Sequence, residues 1–269
     1  MGKIYFHADD YGRSKEVSKN ILNCVVNGNI NSVSIMVNHE QKYHNKLKKF
    51  KNINKRLHIN LTEIPKKSIK DYHLNKLTFL KLLFLNETKK QKILNEIDKQ
   101  IIKFKKIYKP KELKIDGHEH VHMIPWILDH LLKSKMYYKI VELRNSNEKL
   151  MMPRLKDLFN PKYIRNLIAC LVVKFLYNFN KRPKLNAPQF SGILYSGIQS
   201  LETVKKTLFF FKSNNYKNCE ILIHPGYTNK KEKIKFKKNY FEFYNSKNRK
   251  EEFNLCFSKE LKKQLSQFK

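Results

Sequence analysis

The sequence predicts an α/β fold built on a parallel sheet or a barrel. Short apolar strands, polar turns and amphipathic helices follow one another about six or seven times along the chain, and this order is typical of repeated strand–helix units. Because 41% of the 269 residues are hydrophobic, the chain can bury a large core, which excludes general disorder. No linker and no internal repeat divides the sequence, so one domain is predicted over residues 1–269.

Local sequence signals place the individual elements. Strands are predicted at 3–8, 32–37, 57–61, 113–116, 138–144 and 220–224, with a further apolar segment at 189–194. Helices are predicted at 15–27, 41–51, 88–107, 125–135, 200–213 and 258–267. Ser14 is suited to cap the first helix, and Pro125 is suited to the first position of the fourth. Turns are predicted at 9–12 and 117–122, directly after two of the strands.

Two segments do not follow this pattern, and both are expected to shape the substrate pocket. Residues 63–90 are predicted to form an irregular insertion over one face, and residues 150–186 are the second exception. Within the latter, residues 167–173 form an apolar run with Arg165 and Lys174 beside it. The run is too short to cross a bilayer. It predicts a buried helix, which is favoured, or a basic amphipathic helix at a membrane interface.

The formal charge of +33 comes from 56 Lys and Arg residues against 23 Asp and Glu residues. Such an excess suits binding to nucleic acid or to an anionic membrane. Most of the cations are lysines spread over nearly every segment, and no nucleic-acid-binding motif is present. The abundance of Lys, Asn, Ile, Tyr and Phe also fits an AT-rich coding sequence. The composition therefore predicts no specific nucleic-acid partner and leaves affinity for polyanions or membranes as a secondary consequence.

The cysteines and the N-terminus bear on the cellular location. The four cysteines are scattered without a CxxC pair. This argues against a zinc ribbon or a disulfide scaffold and favours buried free thiols in a reducing compartment. Two acidic residues stand where a secretory signal would need an apolar stretch, and no apolar run is as long as a spanning helix. A cytoplasmic protein is predicted, with peripheral contact with a membrane as an alternative.

Histidine and carboxylate side chains gather where four predicted strands end. They are Asp9 and Asp10 after the first strand, His58 on the third, His118 after the next and His224 at the end of the last. Parallel strands bring their carboxyl ends to one rim, so these groups are expected to meet. One carboxylate and two imidazoles can hold a divalent cation and leave a position for water, whose proton a second carboxylate can accept. This pattern predicts an active site.

Asp9 and Asp10 are neighbours in sequence, which limits how they can share that site. In an extended strand successive side chains point to opposite faces. The predicted turn at 9–12 would let both carboxylates reach one site with different roles, for example Asp10 as ligand and Asp9 as base.

The sequence resembles the YdjC-like carbohydrate deacetylases at these same residues. HADDYG at 7–12 is similar to the NADDFG opening of that family, and DGHEHVH at 116–122, followed by Pro125, is similar to its DSHQHVHxxP motif. Further similar segments lie at 32–38, 57–62, 190–192, 223–227 and 249–265. The similar segments follow the family's order along almost the whole chain.

This resemblance implies a distorted (β/α) barrel, one divalent metal ion and a reaction. The metal ion, Zn²⁺ or Mg²⁺, would be held by Asp10, His58 and His118. Asp9 would be the base that activates the metal-bound water, and His224 would be the acid for the leaving amine. The implied reaction removes the acetyl group from an N-acetylated amino sugar or oligosaccharide, with the metal and nearby donors stabilising the oxyanion. A homodimer is implied by the resemblance alone.

Several residues depart from the family's pattern, although none of the changes removes an implied ligand. His7 stands in place of Asn and could add a ligand or merely fill the space. Gly117 stands in place of Ser, and Glu119, in place of Gln, adds a charge that can orient an imidazole. His120 and His122 are expected to support the ligands from behind or to be structural.

Two other functions stay open at this point. The first keeps the deacetylase but gives it a lipid-linked or surface glycan at a membrane, bound through basic faces and the apolar run near residue 170. The second is a non-enzymatic polyanion-binding protein, whose affinity would fall steeply with salt and would not depend on the His and Asp residues. This last function leaves the residues at the strand ends unexplained.

Overall fold

A parallel sheet of seven strands organises the chain. The computed structural model describes residues 2–39, 43–62, 82, 85–181, 183–229, 232 and 238–268. The strands are β1 (Lys3–Tyr11), β2 (Ser32–Ile35), β3 (Asn54–Ile59), β4 (Leu113–Gly117), β5 (Ile140–Leu143), β6 (Gln189–Ser191) and β7 (Asn218–Ile223). All neighbours are parallel, in the order β5-β4-β3-β2-β1-β7-β6. The carboxyl ends of all seven strands therefore share one rim.

Helices fill the connections between the strands. They are α1 (Lys15–Asn27), α2 (His44–Lys48), α3 (Glu87–Tyr108), α4 (Pro125–Lys133), α5 (Lys135–Tyr138), α6 (Leu155–Leu158), α7 (Pro161–Phe179), α8 (Leu201–Ser213), α9 (Lys238–Tyr244), α10 (Lys247–Leu255) and α11 (Lys259–Ser266). A 3₁₀ turn at His118–Met123 follows β4. As predicted, the hydroxyl of Ser14 accepts a hydrogen bond from the amide of Val17 at the start of α1.

The core lies between the sheet and the surrounding helices and inside the curl of the sheet. Central strands are buried along nearly their whole length, as expected for parallel strands covered on both faces. Helix α3 contributes an apolar stripe at the predicted helical spacing, which consists of Ile93, Ile97, Ile101 and Phe104. All four cysteines are buried and free, which confirms that prediction.

The sheet curls into a half-barrel whose edge strands, β5 and β6, are joined by few contacts. The amide of Leu143 on β5 donates to the carbonyl of Leu185, 3.1 Å away, just before β6. The carboxylate of Glu148, which follows β5, accepts from the Ser191 hydroxyl at 2.6 Å and from two further amides. Those amides belong to residues 193 and 194, directly beyond β6. The predicted distorted barrel is confirmed, and a few backbone and side-chain hydrogen bonds take the place of a strand ladder between its edge strands.

The predicted turn at 9–12 is right only at its end, where the amide of Arg13 donates to the carbonyl oxygen of Asp10 at 3.1 Å. Strand β1 continues through Asp9 and Asp10 to Tyr11, and its register against β2 shifts between Ala8 and Tyr11. Asp10 takes a left-handed conformation with φ of 75°. Asp9 and Asp10 form a β-bulge. The bulge keeps β1 paired with β2 at residues where the sequence predicted the end of the strand.

The two exceptional segments have different outcomes. Of the predicted insertion at 63–90, residues 63–81, 83 and 84 lie outside the described part of the chain, and α3 begins at Glu87. In the segment 150–186, the structure contains α6 and the nineteen-residue α7. The favoured prediction of a buried helix is only half right. One face of α7 is buried and the opposite face exposes apolar side chains.

Candidate metal centre

Asp10, His58 and His118 meet at the rim formed by β1, β3 and β4. Nδ1 of His118 lies 3.1 Å from Oδ1 of Asp10, and Nε2 of His58 lies 3.7 Å from the same oxygen. One ligand-type atom from each of the three residues falls within 4.8 Å of the other two. All three side chains are buried. The structure thus brings together the three residues that the resemblance implies as ligands.

The bulge in β1 explains how two successive aspartates reach one place. Asp is one of the residue types that tolerates the left-handed conformation, and Asp10 uses it to break the alternation of the strand. Oδ2 of Asp9 consequently lies 3.9 Å from Nε2 of His58, close to the 3.7 Å that separates this nitrogen from Asp10. Both carboxylates therefore face the same imidazole from one strand.

The donor set of this centre fits a divalent cation. Nδ1 of His58 lies 2.7 Å from Oδ1 of Asp116, a hydrogen bond that fixes the ring and directs Nε2 towards Asp10. Within the part of the chain that the structure describes, this buried Nε2 has no hydrogen-bond partner. Burial lowers the pKa of His58, but Asp9 and Asp116 outweigh burial and raise it to about 9. The negative charges that favour a proton on the His58 ring also favour a metal cation in the place of that proton.

Asp9 is held by a guanidinium and by an imidazole. Arg144, just after β5, donates to both carboxylate oxygens of Asp9 at 3.0 Å, and Nε2 of His7 lies 3.0 Å from Oδ1. Burial raises the pKa of Asp9, but the positive charges of Arg144 and His58 hold it well below its usual value. Asp9 is therefore ionised at neutral pH, as a proton acceptor must be, and its orientation is fixed from behind.

A second group of metal-ligating residue types lies directly behind the first. His7, Asp9 and Asp116 also have ligand-type atoms within 4.8 Å of one another. Both nitrogens of His7, however, lie 2.7 Å from serine hydroxyls, those of residues 32 and 34. The guanidinium of Arg144 contacts Asp116 at 2.8 Å as well as Asp9. The cation of this second group is thus a side chain of the protein, and His7 acts as a support for Asp9.

The buried charges continue beneath this second group. Arg144 also donates to Glu220 at 2.8 Å, and Arg56 pairs with Glu220 and, at 2.5 Å, with Glu142. Arg56, Arg144 and Glu220 are almost completely inaccessible to solvent. Buried ions remain stable only when each has partners of opposite charge, and this alternation of arginines and carboxylates meets that condition.

The turn that carries His118 is shaped by left-handed residues. Glu119 and His120 have φ of 51° and 58°, which reverses the chain after β4. His120 contacts the Ser146 hydroxyl at 2.9 Å through Nδ1, and Nε2 of His122 lies 2.9 Å from the Arg144 carbonyl oxygen. Both histidines thus bind the segment after β5. Glu119 is exposed. Burial lowers the pKa of His118, but Asp10, with help from the negative charge of Glu119, raises it above its usual value.

A glycine is required immediately before this turn. A Cβ atom on Gly117 would come within 2.9 Å of Nδ1 of His122 and 3.0 Å of its backbone nitrogen. The family's Ser at this position could therefore not be accommodated here without movement of His122.

His224 is connected to the metal centre by Arg249, which contacts both. The guanidinium of Arg249, on α10, lies 3.4 Å from Oδ2 of Asp10 and donates to the backbone oxygen of His224 at 3.1 Å. Burial, aided by the charge of Arg249, lowers the pKa of His224 to about 3. Nδ1 of His224 lies 3.9 Å from Glu252, whose own pKa burial raises to about 7. His224 is therefore a neutral imidazole next to a carboxyl group that titrates near neutral pH.

Sequence reasoning did not identify the arginines and the acids that support the ligands. Arg144 ends the predicted strand 138–144, and Asp116 ends the strand 113–116, so the strand-end rule would have selected both. Glu220 and Arg56 lie inside strands β7 and β3. Arg56 stands just before the predicted strand 57–61 and Glu220 is the first residue of the predicted strand 220–224, so neither appeared in the sequence as a charge inside a strand.

The fold and the centre together define a class: an α/β-barrel protein with a buried Asp-His-His set at the carboxyl rim of its strands. The family model for YdjC-like protein matches residues 3–267, and the chain therefore belongs to the YdjC-like family. The match includes every residue of the centre and the arginines that support it.

A solved structure supports the fold assignment. The chain is similar to a protein from Enterococcus faecalis V583, described as a "putative cellobiose-phosphate cleavage protein", whose crystal structure superposes with a TM-score of 0.65. The two chains share 17% sequence identity, and the alignment covers 99% of this chain and 95% of the other. At this identity the similarity shows a common fold.

Proposed function

We propose that this protein is a metal-dependent hydrolase that removes the acetyl group from an N-acetylated amino sugar or oligosaccharide. The observation that carries the proposal is the buried set of Asp10, His58 and His118, with the ionised Asp9 beside it. Membership of the YdjC-like family supports a carbohydrate substrate. Two imidazoles in the set favour a borderline cation such as Zn²⁺ over Mg²⁺.

Each residue has a role in this proposal. Asp10, His58 and His118 would hold the cation, which when bound supplies an acidified water and polarises the acetyl carbonyl. Asp9 accepts the proton of the attacking water, and Arg144 keeps its carboxylate ionised and oriented.

The reaction breaks the amide carbon–nitrogen bond. The water oxygen forms a bond to the acetyl carbon, acetate is released, and the amine nitrogen takes a proton. His224 is our candidate donor for this proton. Since its pKa lies near 3, it donates only after taking up a proton, and Glu252, 3.9 Å away, is the nearby carboxyl group that can exchange one.

An acetate assay tests this proposal. The protein is stripped of metal and supplied with N-acetylglucosamine oligomers, and acetate release is measured before and after Zn²⁺ or Mg²⁺ is restored. We expect release only with metal. A phosphorylated cellobiose is assayed in parallel for glucose release, because the E. faecalis protein is described by cleavage of such a sugar. Glucose release without acetate release would replace the deacetylase by a glycosidic hydrolase.

A further inference from the structure

The outward face of α7 is covered by apolar side chains. Six of them are between 40% and 65% exposed: Ile164, Ile168, Leu171, Val172, Phe175 and Phe179. At about 100° of rotation per residue, they fall within an arc about 100° wide on the helix. We call this arc the α7 stripe. Its width is that of a face that normally packs against another surface.

The opposite face of α7 already packs on the protein. Tyr163, Cys170, Val173 and Leu176 are buried there. The amide of Asn166 donates to the carbonyls of residues 194 and 196, and that of Asn180 donates to the Met123 carbonyl at 3.2 Å. The helix is thus fixed in place by its inner face. The α7 stripe is additional apolar surface that the fold itself does not need.

The exposed apolar residues of the protein are concentrated around this stripe. Of seventeen large apolar residues that are exposed in the described chain, eleven lie between 150 and 179. Met152, Leu155 and Phe159, just before α7, are each more than three-quarters exposed. Scattered exposed apolar residues are normal, whereas a contiguous patch marks a surface that binds a protein or a membrane.

The charges around the stripe select between these two partners. Residues 149–181 contain seven Lys or Arg residues and one acid, Asp157, which is buried and paired with Arg154 at 2.5 Å. Glu202 on α8 pairs with Arg154 and Lys156, before α7, so the cations that flank the stripe itself are those on α7. By helical rotation, Arg165 borders one edge of the stripe and Lys174 the other. A symmetric dimer through this face would bring the same cations together. An anionic lipid surface would instead neutralise them while it covers the apolar side chains.

We propose that the α7 stripe, with the apolar segment before it, docks the protein on an anionic lipid bilayer. None of the described helices is long and apolar enough to cross a membrane, and α7 is held along one side. It therefore lies in the plane of the interface, with Phe175 and its neighbours among the acyl chains and Arg165 and Lys174 at the headgroups. Attraction to the whole molecule, with a formal charge of +33, adds to this contact.

Docking in this orientation would bring the metal centre close to the membrane. Asn180, at the end of α7, bonds to Met123, which belongs to the 3₁₀ turn that begins with the ligand His118. This second step, unlike docking itself, rests on the proposed function. It identifies the substrate class as an N-acetylated sugar carried by a lipid.

Vesicle co-sedimentation tests the docking. The full-length protein is mixed with vesicles of phosphatidylcholine alone or of phosphatidylcholine and phosphatidylglycerol, at low and at high salt. We expect the protein to pellet with the anionic vesicles and to be released by salt. Ile168→Asp should weaken this partitioning by about tenfold or more, because a charge enters the apolar face. The matched control is Ile102→Asp on α3, since both isoleucines are 57% exposed, and it should pellet like the original protein.

A charge pair provides a second variant that does not change the apolar side chains. Arg165→Glu with Lys174→Glu should reduce binding by about tenfold or more, while Lys92→Glu with Lys99→Glu on α3, with the same change of net charge, should reduce it much less. Absence of pelleting in the original protein, or equal losses in the α3 controls, would overturn the proposal. A dimer in ultracentrifugation that Ile168→Asp dissociates would also overturn it, because a second copy would then cover the stripe.

The same samples separate this proposal from the deacetylase. Acetate release from a soluble N-acetylglucosamine oligomer should be unchanged in Ile168→Asp, whereas release from a vesicle-borne N-acetyl sugar should fall with the binding. Vesicle binding without acetate release from either substrate would leave the docking surface in place and reject the deacetylase. Acetate release from the soluble oligomer without vesicle binding would support the deacetylase and reject the docking surface.

Discussion

Two clusters of similar composition lie one behind the other at the rim of the barrel. Asp10, His58 and His118 form the front cluster, and His7, Asp9 and Asp116 form the rear cluster. Both consist of buried imidazoles and carboxylates with ligand-type atoms within 4.8 Å of one another. Residue types and spacing alone would mark both as metal sites.

The two clusters differ in what already satisfies them. In the rear cluster, serine hydroxyls contact both nitrogens of the histidine, and Arg144 binds both carboxylates. In the front cluster, Nε2 of His58 has no hydrogen-bond partner in the described chain. The comparison teaches that a metal site is recognised by ligand atoms that the protein leaves open. Arg144 contacts both carboxylates of the rear cluster, whereas the guanidinium beside the front cluster, Arg249, contacts only Oδ2 of Asp10 within it.

The largest expected effect follows from removing the internal cation. Arg144→Met leaves Asp9, Asp116 and Glu220 buried without it, and breaking such a network costs about 3–5 kcal/mol of the free energy of unfolding. Urea denaturation at neutral pH measures this loss. Arg165→Met, on the exposed face of α7, is the control and should change stability by less than about 0.5 kcal/mol. If Arg144→Met does not fold, Arg144→Lys should fold with a smaller loss. Equal stability of Arg144→Met and the control would show that the rear cluster does not need its arginine.

The neighbouring aspartates provide the next test, since one substitution can be made in each cluster. Loss of residues that merely support ligands weakens metal binding by about 10–100-fold, so Asp10→Asn, a ligand change, should exceed about 100-fold. Asp9→Asn should keep the metal and lose about 10²–10⁴-fold in acetate release. Equilibrium dialysis with elemental analysis and the acetate assay give the two readouts. Metal loss in Asp9→Asn and not in Asp10→Asn would reverse the assignment.

An intermediate effect is expected for the residue that connects the clusters. Asp116→Asn keeps an oxygen for Nδ1 of His58 but removes the negative charge behind the ring. Metal affinity should fall by about 10–100-fold, less than for Asp10→Asn. Competition with a fluorescent chelator resolves this range. An affinity equal to that of the original protein would show that the charge of Asp116 serves only Arg144.

The smallest expected effect is a pH dependence of stability that originates at His122. Burial lowers the pKa of this imidazole to about 4, below the value of about 6.5 in an unfolded chain. As the pH falls from 6.5 towards 4, His122 binds a proton in the unfolded chain but not in the folded protein. The free energy of unfolding therefore declines. At pH 5 the loss should be about 1–2 kcal/mol. His122→Gln, which retains a donor for the Arg144 carbonyl, should decline less between pH 7 and 5. Parallel curves in urea titrations would contradict this.

Much of the fold could be predicted because it depends on local patterns. Ser14 and the apolar positions of α1 determine that helix, and the apolar runs determine the strands. The bulge at Asp10 could not be predicted in this way. A turn and a bulge begin with the same residue types, and the pairing of Tyr11 with β2 distinguishes them. That pairing depends on a strand more than twenty residues further along the chain.

The meeting of Asp10, His58 and His118 could also be predicted, because the strand-end rule and the family motifs agree on these three residues. The sequence does not show which of the two clusters is already paired with a guanidinium. This pairing depends on which carboxylates Arg144 reaches, and Asp9 lies 135 positions away in the sequence. Likewise, the apolar run of α7 does not reveal which of its faces the core will cover. The covered face is the one that contacts other segments, for example through Asn166 and Asn180.

The order of strands in the sheet has a consequence for synthesis of the protein. β1 lies between β2 and β7. During synthesis its partner on one side follows it closely in the chain, whereas its partner on the other side is complete only when residue 223 has been made. During that interval β1 presents an unpaired apolar edge, the type of edge on which nascent chains aggregate. Asp9 and Asp10 sit on this strand, and His224 directly follows its late partner. The pairing of β1 with β7 therefore closes the sheet around Asp9 and Asp10 and brings His224 to the same rim, and a chain that ends before β7 would have neither.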